Sequence, residues 1–244
     1  MCVTLKMSVL VALVRHGETD ANVAGVLQGQ GIDTPLTAQG EVQAKLAGTA
    51  LVGVNFSRFF CSDLNRTRKT AALIAAASKG SVDIEQCQYD KNIREKAFGV
   101  REGFGKDVPV EEATRLVAEK EGIPVDQVID KAETDADLQE RQRDFIRTLL
   151  SDRKLEAGAK VLVVTHGRFI KEFAANTAQV PSDDIVRISN CSITGVRITL
   201  GPIESSEDAF GRAQLVEGAV NNQSHIINAD DRIAIENELK WLRL

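Results

Sequence analysis

Two continuous apolar runs constrain the fold of this chain of 244 residues more than any other feature. Ser8–Val14 reads SVLVALV and Lys160–Thr165 reads KVLVVT, and both are rich in β-branched residues. A strand with one face in water alternates apolar and polar residues, whereas a strand that is covered on both faces does not. The two runs therefore predict buried strands at the centre of a sheet that has helices on both sides.

Strand-like and helical patterns alternate along most of the chain. We predict helices over Thr37–Leu51, Ser62–Ser78 and Arg168–Ala178, and further strands over Ser57–Cys61, Val82–Gln86, Ile193–Leu200 and Arg212–Val220. Thr37 is the expected N-cap of the first helix, and Ser62 or Asp63 is expected to cap the second. This alternation predicts an α/β fold, arranged as a three-layer α/β/α sandwich with a mainly parallel central sheet.

The stretch Pro109–Leu155 is polar and helical, with a break near Gly122. Apolar residues recur in it close to helical spacing, namely Leu138, Phe145, Ile146, Leu149 and Leu150. Because such a stripe covers one side of a helix, we expect it to face the core.

The simplest organisation is a single domain over residues 1–244. It would carry a helical insert at about 105–155 and a C-terminal tail at about 221–244. An acidic loop is predicted over Pro202–Gly211, and an amphipathic helix over Asp230–Leu244.

Composition disfavours several classes of partner. The net charge is −5 and aromatic residues make up 5% of the chain, which argues against both a basic nucleic-acid surface and a base-stacking one. No apolar run approaches the roughly 18 residues of a membrane helix. Met7–Val14 is short and no cleavage site follows it, so we interpret it as a strand and expect a cytoplasmic protein that binds neither nucleic acid nor membrane.

The cysteines predict neither a metal site nor a disulfide framework. There are four of them, at Cys2, Cys61, Cys87 and Cys191. They form no C-x-x-C pair and fit no zinc spacing, so we expect reduced and mostly buried thiols.

Both apolar strands run directly into a His-Gly pair, His16-Gly17 and His166-Gly167. The chain holds only three histidines. Since ligands of parallel sheets bind beyond the carboxyl ends of the strands, we expect His16 and His166 to lie together at a site. The structural alternative is that each histidine only caps a strand or satisfies a turn.

The neighbours of the histidines favour phosphoryl chemistry. A metal site would need further ligands, whereas the third histidine, His225, lies in the tail and Arg15 would repel a cation. A neutral imidazole can attack phosphorus, and the guanidinium groups of Arg15 and Arg66 pair well with phosphoryl oxygens. On residue type alone, Arg66 could equally be a solvated residue. We expect neither a metal nor another cofactor.

An alcohol leaving group needs a proton, which a carboxylic acid could supply. Glu95 is one candidate, because a bound phosphate dianion would favour the protonated form of a nearby carboxyl group. Residue type does not single it out from the other acids of a chain that has 35 of them. Asn22, Gln28 and the backbone of Gly29 could add neutral donors to a phosphate pocket.

Leu13–Asn22 reads LVRHGETDAN, which closely resembles the signature of the histidine phosphatase superfamily, a group that includes the cofactor-dependent phosphoglycerate mutases. The resemblance covers about Val9–Val196 and continues in order through Gln28–Ala44, Ser62–Ala71, Arg94–Gly103 and Val164–Ile170. The QGQG and E-x-x-F-G stretches resemble most the fructose-2,6-bisphosphatase-like branch, which includes regulators of glycolysis and apoptosis. This resemblance implies a phosphoglycerate mutase-like fold.

The resemblance also implies a role for each matching residue. His16 would be the phosphohistidine nucleophile and Glu95 the proton donor. Arg15, Arg66 and His166 would hold the transferring phosphoryl group. The implied substrate-binding residues are Asn22, Gln28, Gly29, Phe98, Gly167 and Arg168. The family needs no metal.

The sequence departs from the family pattern in three places. Lys131–Thr134 stands where many members have Gly-Gly-Glu-Ser or Gly-Gly-Glu-Thr, which leaves the contacts of Glu133 undefined. Arg168 and Lys171 would either hold a second anionic group of the substrate or be surface charges. The insert lacks the arginine pair of a mutase.

The expected function is a metal-independent phosphatase that acts on a small phosphorylated metabolite, such as fructose 2,6-bisphosphate or another sugar bisphosphate. A phosphoglycerate mutase and a phosphate-binding protein without turnover are the alternatives. The expected assembly is a monomer or a homodimer.

Overall fold

The computed structural model describes residues 8–200, 209–216, 219–223, 226 and 239–243. Cys2, His225 and most of the predicted acidic loop and tail helix lie outside these residues. Within them, a mixed and mostly parallel sheet forms the centre of the fold. Its strands are β1 (Ser8–Arg15), β2 (Arg58–Cys61), β3 (Cys87–Tyr89), β4 (Lys160–Thr165), β5 (Ile193–Thr199) and β6 (Ala213–Leu215).

The strand order across the sheet is β3-β2-β4-β1-β5-β6. β1 and β4 are parallel neighbours, and β2 and β3 continue this parallel part. β5 runs antiparallel to both β1 and β6. The two strands predicted from the apolar runs therefore lie side by side in the middle of the described sheet.

Helices cover the sheet on both faces. They are α1 (Asp20–Val23), α2 (Ala38–Ala50), α3 (Asn65–Ala77), α4 (Val110–Glu121), α5 (Asp135–Ser151), α6 (Gly167–Ala178) and α7 (Lys240–Arg243). Short 3₁₀ turns lie at Ile84–Gln86, Lys91–Ile93, Gly99–Arg101, Val125–Gln127, Ser182–Asp184 and Ala209–Arg212. Among the described residues, no helix is long and apolar enough to cross a membrane.

The alternation of β1 side chains explains its unbroken apolar sequence. Val9, Val11 and Leu13 belong to one buried cluster, which also contains residues of α5 and α6. Ala12 and Val14 belong to a second cluster, together with residues of α2 and α3. Both faces of the strand are covered, as predicted, and the result is the expected layered α/β arrangement. The stripe predicted in the insert lies on α5, where all but the half-buried Leu150 are buried.

Some predicted boundaries were wrong. Val82–Gln86 is not a strand, because the carboxylate of Asp83 accepts the Glu85 amide proton and caps a 3₁₀ turn, and β3 begins only at Cys87. Among the described residues of the strand predicted over Arg212–Val220, the strand spans Ala213–Leu215, and Arg212 belongs to the preceding 3₁₀ turn. The segment between β1 and α2 contains the short helix α1, which the sequence analysis did not predict.

The predicted caps of α3 were also wrong, because neither Ser62 nor Asp63 caps it. The helix begins at Asn65 and has no side-chain cap of its own. The carboxylate of Asp33 instead accepts the amide protons of Asn65 and Arg66, at 2.5 and 3.3 Å. Thr37, by contrast, caps α2 as predicted.

A glycine substitution tests the close packing of α2 against α3. A Cβ atom at Gly48 would lie 2.4 Å from the Ile74 carbonyl oxygen and 2.9 Å from the Ala77 Cβ. Alanine normally stabilises a helix by about 1 kcal/mol relative to glycine. Gly48→Ala is nevertheless expected to lower the free energy of unfolding by roughly 1–3 kcal/mol, because the helices must separate.

Urea denaturation measures this effect. Thr49→Ala, on the exposed face of the same helix, is the control and should change stability by no more than about 0.5 kcal/mol. A stabilised Gly48→Ala variant would contradict the close approach.

Candidate functional site

The carboxyl ends of β1 and β4 bring the two predicted histidines together. Arg15 lies opposite Thr165 in the parallel register, so His16 and His166 follow at the same edge. The two rings have centroids 5.3 Å apart and an interplanar angle of 61°. Both side chains are buried.

The hydrogen bond of the His16 ring determines its tautomer. Its Nδ1 lies 2.8 Å from the carbonyl oxygen of Gly17. A carbonyl oxygen can only accept, so Nδ1 carries the proton and Nε2 carries the lone pair. Burial, followed by the charges of Arg66 and Arg15, holds the pKa of His16 well below 6.5. The ring is therefore neutral at pH 7, with a nucleophilic nitrogen available.

His166 is also held neutral and is oriented by a hydroxyl. Its Nε2 lies 2.8 Å from the Ser62 Oγ, whereas its buried Nδ1 has no hydrogen-bond partner among the described residues. Burial, followed by the charges of Arg66 and of His16, lowers the pKa of His166 well below 6.5. If the Ser62 hydroxyl donates to Nε2, the ring proton is on Nδ1 and is free for a ligand.

Arg66 is almost completely buried and is fixed by the loop that precedes α2. Its Nη2 donates to the Gly29 carbonyl at 2.7 Å, and its Nη1 donates to the Ile32 carbonyl at 3.1 Å and to Asp33 at 3.0 Å. Burial lowers the pKa of Arg66, and the charge of Asp33 opposes this.

Arg15 anchors the other side of the site. Its Nη1 donates to the Ile188 carbonyl at 2.8 Å. Burial lowers the pKa of Arg15 to about 10, so the group keeps its charge at neutral pH. In both Arg15 and Arg66 the buried Nε has no hydrogen-bond partner among the described residues. An unpaired buried donor is costly, and an anionic ligand would satisfy it.

The Glu95 side chain lies at the N-terminus of α6, the helix that begins directly after His166. Its Oε2 accepts the Arg168 amide proton at 3.1 Å, and its Oε1 accepts those of Phe169, at 3.1 Å, and Lys96, at 2.9 Å. The His166 side chain makes no capping hydrogen bond to α6, so Glu95 acts as the cap. The partial positive charge of the helix end also favours a carboxylate there.

The predicted neutral donors all line the site, with different partners. The Asn22 Oδ1 accepts from the Thr19 amide and from Asn190, which leaves its Nδ2 for a ligand. Gln28 donates to the Thr19 hydroxyl at 2.8 Å and accepts from Thr34, so it mainly holds the loop in place.

Gly29 and Gly167 have no side chain, and this leaves space for charged side chains of other residues. Gly29 has a positive φ of 55°, and a Cβ atom there would overlap the Glu102 carboxylate. A Cβ atom at Gly167 would lie 3.0 Å from the Arg15 Nε. Each glycine therefore allows a charged group to approach the backbone closely.

These residues surround a cavity of about 420 Å³, within the range of small-molecule sites. Phe98 contributes an apolar wall. Among the residues that the structure describes, the lining contains seven cationic side chains but only one carboxylate, that of Glu95. The cations are Arg15, Arg66, Arg101, Lys106, Arg168, Lys171 and Arg187. The site thus favours anionic ligands, although the chain as a whole is acidic.

Arg168 and Lys171 both face the cavity and both have acidic partners. The Arg168 guanidinium pairs with Glu172 at 2.7 Å and lies 3.7 Å from Asp135. The Lys171 Nζ lies 3.6 Å from the exposed carboxylate of Asp183. The binding role of Arg168 stays a prediction.

Glu133, whose contacts the sequence left open, connects the insert to the Glu95 loop. Its carboxylate pairs with Arg141 at 2.7 Å and accepts the Ala97 amide proton at 2.9 Å. Arg141 also donates to the carbonyls of Asn92 and Glu95, at 2.7 and 3.3 Å. Arg141 thus fixes the loop that carries Glu95, a role that no local sequence signal indicated.

Other lining residues were also missed, among them Arg101, Lys106 and Arg187. Arg101 lies within the Arg94–Gly103 stretch, but the resemblance implied no role for it. Lys106 and Arg187 lie on loops whose sequences carry no motif, and only the fold brings these loops together. Asn190, which donates to the His16 carbonyl at 3.0 Å, was missed for the same reason. Within the described part of the chain, no group of three or more His, Cys, Asp or Glu residues is placed to hold a metal ion.

Comparison with known proteins confirms the resemblance. The model of the histidine phosphatase superfamily (branch 1) matches residues 11–205. A probable phosphoglycerate mutase, GpmB, of Escherichia coli O1:K1 / APEC is 35% identical over 188 residues, which are 76% of this chain and 83% of the relative. The fructose-2,6-bisphosphatase TIGAR of Bos taurus is 45% identical over 93 residues, which are 38% of this chain and 34% of that protein.

A solved structure supports the fold. The phosphoglycerate mutase from Bacillus anthracis str. Sterne matches with a TM-score of 0.69, over 93% of this chain and 98% of that one. Because the two are only 23% identical, this likeness bears on the fold alone.

The buried neutral histidines make stability depend on pH. In the unfolded chain His16 and His166 take up protons near pH 6.5, whereas in the folded protein they do so only at lower pH. Stability should therefore decrease as the pH falls below about 6.5, by up to about 1.4 kcal/mol per pH unit for each histidine.

Urea denaturation between pH 7.5 and 5.5 tests this dependence. His16→Asn and His166→Asn should each reduce the change in unfolding free energy per pH unit, and the double variant should reduce it further. If the unfolding free energy depended on pH equally in the wild type and all three variants, the fold would not be holding the two rings neutral.

Proposed function

This chain belongs to the histidine phosphatase superfamily and is a phosphoric monoester hydrolase, and we propose that it cleaves a small phosphorylated metabolite through a phosphohistidine at His16. One observation carries this proposal. The His16 Nε2 has a free lone pair in a site where Arg15 and Arg66 each have a buried Nε–H group with no hydrogen-bond partner among the described residues. A nucleophile beside cationic hydrogen-bond donors is suited to phosphoryl transfer.

In the first step, the lone pair of the His16 Nε2 forms the N–P bond as the P–O ester bond breaks. The leaving oxygen takes a proton from the carboxyl group of Glu95. Arg15, Arg66 and the Nδ1–H of His166 stabilise the charge on the phosphoryl oxygens. The alcohol then leaves, with the phosphoryl group on His16 and Glu95 as a carboxylate.

In the second step, Glu95 takes a proton from a water molecule as the water oxygen attacks phosphorus. The N–P bond breaks and its electron pair returns to Nε2, which regenerates the neutral ring. Inorganic phosphate leaves, and Glu95 is again protonated for the next cycle. No metal ion takes part in either step of this scheme.

The proposed substrate is a sugar bisphosphate, with fructose 2,6-bisphosphate as the first compound to assay. The size and the positive charge of the cavity support a small substrate with more than one anionic group. The partial similarity to a fructose-2,6-bisphosphatase supports the same class.

Transfer of the phosphoryl group to a second hydroxyl, as in a phosphoglycerate mutase, is the second candidate. It is favoured by the identity of 35% to a probable phosphoglycerate mutase. A mutase would convert 3-phosphoglycerate to its isomer, depend on a bisphosphoglycerate primer and release little phosphate. A hydrolase would release phosphate in amounts that match substrate loss.

A phosphate-release assay over a panel of phosphorylated metabolites, in excess EDTA, tests the proposed function. The wild type should remain active in EDTA, and His16→Ala should lose activity by about 10⁴-fold or more because the nucleophile is absent. Labelled substrate should leave phosphate on His16 after a quench without acid. Turnover without that adduct, or activity that requires added divalent metal, would overturn the mechanism. Phosphate binding without release from any compound would favour the binding protein.

The role of Glu95 is tested by leaving-group dependence. Glu95→Gln cannot donate a proton, so hydrolysis of an alkyl phosphate should slow by roughly 10²–10⁴-fold. Hydrolysis of p-nitrophenyl phosphate should slow far less, because p-nitrophenolate leaves without a proton. Single-turnover rates for the two substrates give the comparison, and equal slowing would remove Glu95 from the acid role.

A further inference from the structure

The carboxylate of Glu102 connects two distant stretches of the chain. The side chain is half-buried, and the described lining of the catalytic cavity does not include it. Its Oε1 accepts the amide protons of Gln30 and Phe98, at 3.0 and 2.9 Å, and its Oε2 accepts that of Gly31 at 2.5 Å. One side chain thus joins the loop at residues 28–33, which we call the QGQG loop, to the turn that follows Phe98.

Two glycines of the QGQG loop make room for this carboxylate. A Cβ atom at Gly29 would overlap the Glu102 Oε1, and a Cβ atom at Gly31 would lie 2.7 Å from its Oε2. Gly29 also has a positive φ of 55°, which residues with a side chain rarely adopt. Successive backbone N–H groups in such a turn form a concave site for an anion. The chain fills this site with a carboxylate of its own.

The same loop determines the direction of the Arg66 guanidinium. Its Nη2 donates to the Gly29 carbonyl at 2.7 Å, and its Nη1 donates to the Ile32 carbonyl at 3.1 Å. Its Nε–H has no partner among the described residues and is the group that would meet a phosphoryl oxygen. Because a guanidinium is planar and rigid, displacement of these carbonyls would also turn the Nε–H.

The electrostatic effect of Glu102 on Arg66 has the same direction as its structural effect. Burial lowers the pKa of Arg66, and Glu102 is among the carboxylates whose charges oppose this. A carboxylate at this place therefore favours the charged form of the buried guanidinium as well as its fixed position.

We propose that Glu102 is a positioning residue for phosphoryl transfer, which acts by holding the QGQG loop that orients Arg66. This inference rests on the proposed phosphatase function and adds to it a residue that does not touch the substrate. A displacement of about 1 Å in a group that stabilises a transition state can slow a reaction by about 10²-fold. Glu102 should therefore affect kcat more than KM.

A double-mutant cycle with Arg66 tests the proposal. Glu102→Gln keeps the shape of the side chain but replaces one acceptor oxygen with a donor, which then faces a backbone N–H. With Arg66 present, kcat for p-nitrophenyl phosphate should fall by about 10–10²-fold, while KM changes by less than about threefold. In Arg66→Ala the same substitution should change kcat by less than about threefold, because no guanidinium is left to orient.

The substrate and the control variant exclude other causes. Hydrolysis of p-nitrophenyl phosphate hardly needs a proton from Glu95, so an effect on the acid through the Phe98 turn would not enter the comparison. Asp83→Asn removes a carboxylate that accepts the Glu85 amide proton at 3.0 Å, away from the described cavity lining. It should leave kcat and KM unchanged.

Gly31→Ala reaches the same contact without a change of charge. Its Cβ atom would push the Glu102 Oε2 away from the loop, so kcat should fall as it does in Glu102→Gln. The two losses should not add in the double variant, because both remove one contact. Urea denaturation checks that each variant is folded, and Gly31→Ala replaces Glu102→Gln in the cycle if the latter is not.

The outcomes separate the positioning role from the proposed function. An equal loss of kcat with Arg66 and with Arg66→Ala, or a folded Glu102→Gln with unchanged kcat, would overturn the role of Glu102 while leaving the phosphatase intact. If the wild type releases no phosphate from any substrate, the proposed function fails. Calorimetric binding of inorganic phosphate to the same four proteins then replaces kcat. Affinity that Glu102→Gln lowers only when Arg66 is present would support the role, and any other pattern would overturn it.

Discussion

The burial of two arginine charges beside two imidazoles is the constraint on which the site depends. Taking a guanidinium group out of water is costly, and the fold offsets this with carbonyl oxygens and the Asp33 carboxylate. The same charges, together with burial, keep His16 and His166 neutral. A protonated His16 would have no lone pair on Nε2, so the cations that would bind a phosphoryl group also preserve the nucleophile that would attack it.

Two helices begin at the site, and each is capped by a carboxylate from a distant part of the chain. Asp33 caps α3 from 32 residues away, and Glu95 caps α6 from 73 residues away. In both cases the cap also brings a loop to the site, because Asp33 pairs with Arg66 and Glu95 reaches the cavity. Arg141 then ties the Glu95 loop to α5 through backbone carbonyls. The contacts that cap these two helices therefore also assemble the site.

The positions of the two histidines were predictable from sequence because they depend on local patterns. Buried strands have recognisable compositions, and parallel neighbours place their carboxyl ends at one edge. The role of Ser62 could not be predicted from such local patterns. Its sequence position suggested a helix cap, but its hydroxyl lies instead against His166, which is 104 residues away. A short polar side chain fits either role, and only the tertiary fold decides between them.

The net charge of the chain likewise does not predict the local charge of the site. A net charge of −5 correctly describes the chain as a whole, yet it says nothing about a cavity whose described lining residues include seven cations and one carboxylate. Exposed charges interact over about 8–10 Å in physiological salt, so a ligand near the mouth responds to the local cations and not to distant acids. Lys106 and Arg187 come from loops that are 81 positions apart in sequence, and neither loop carries a motif. The positive charge of the cavity thus comes partly from residues that the fold, and not the local sequence, places at one site.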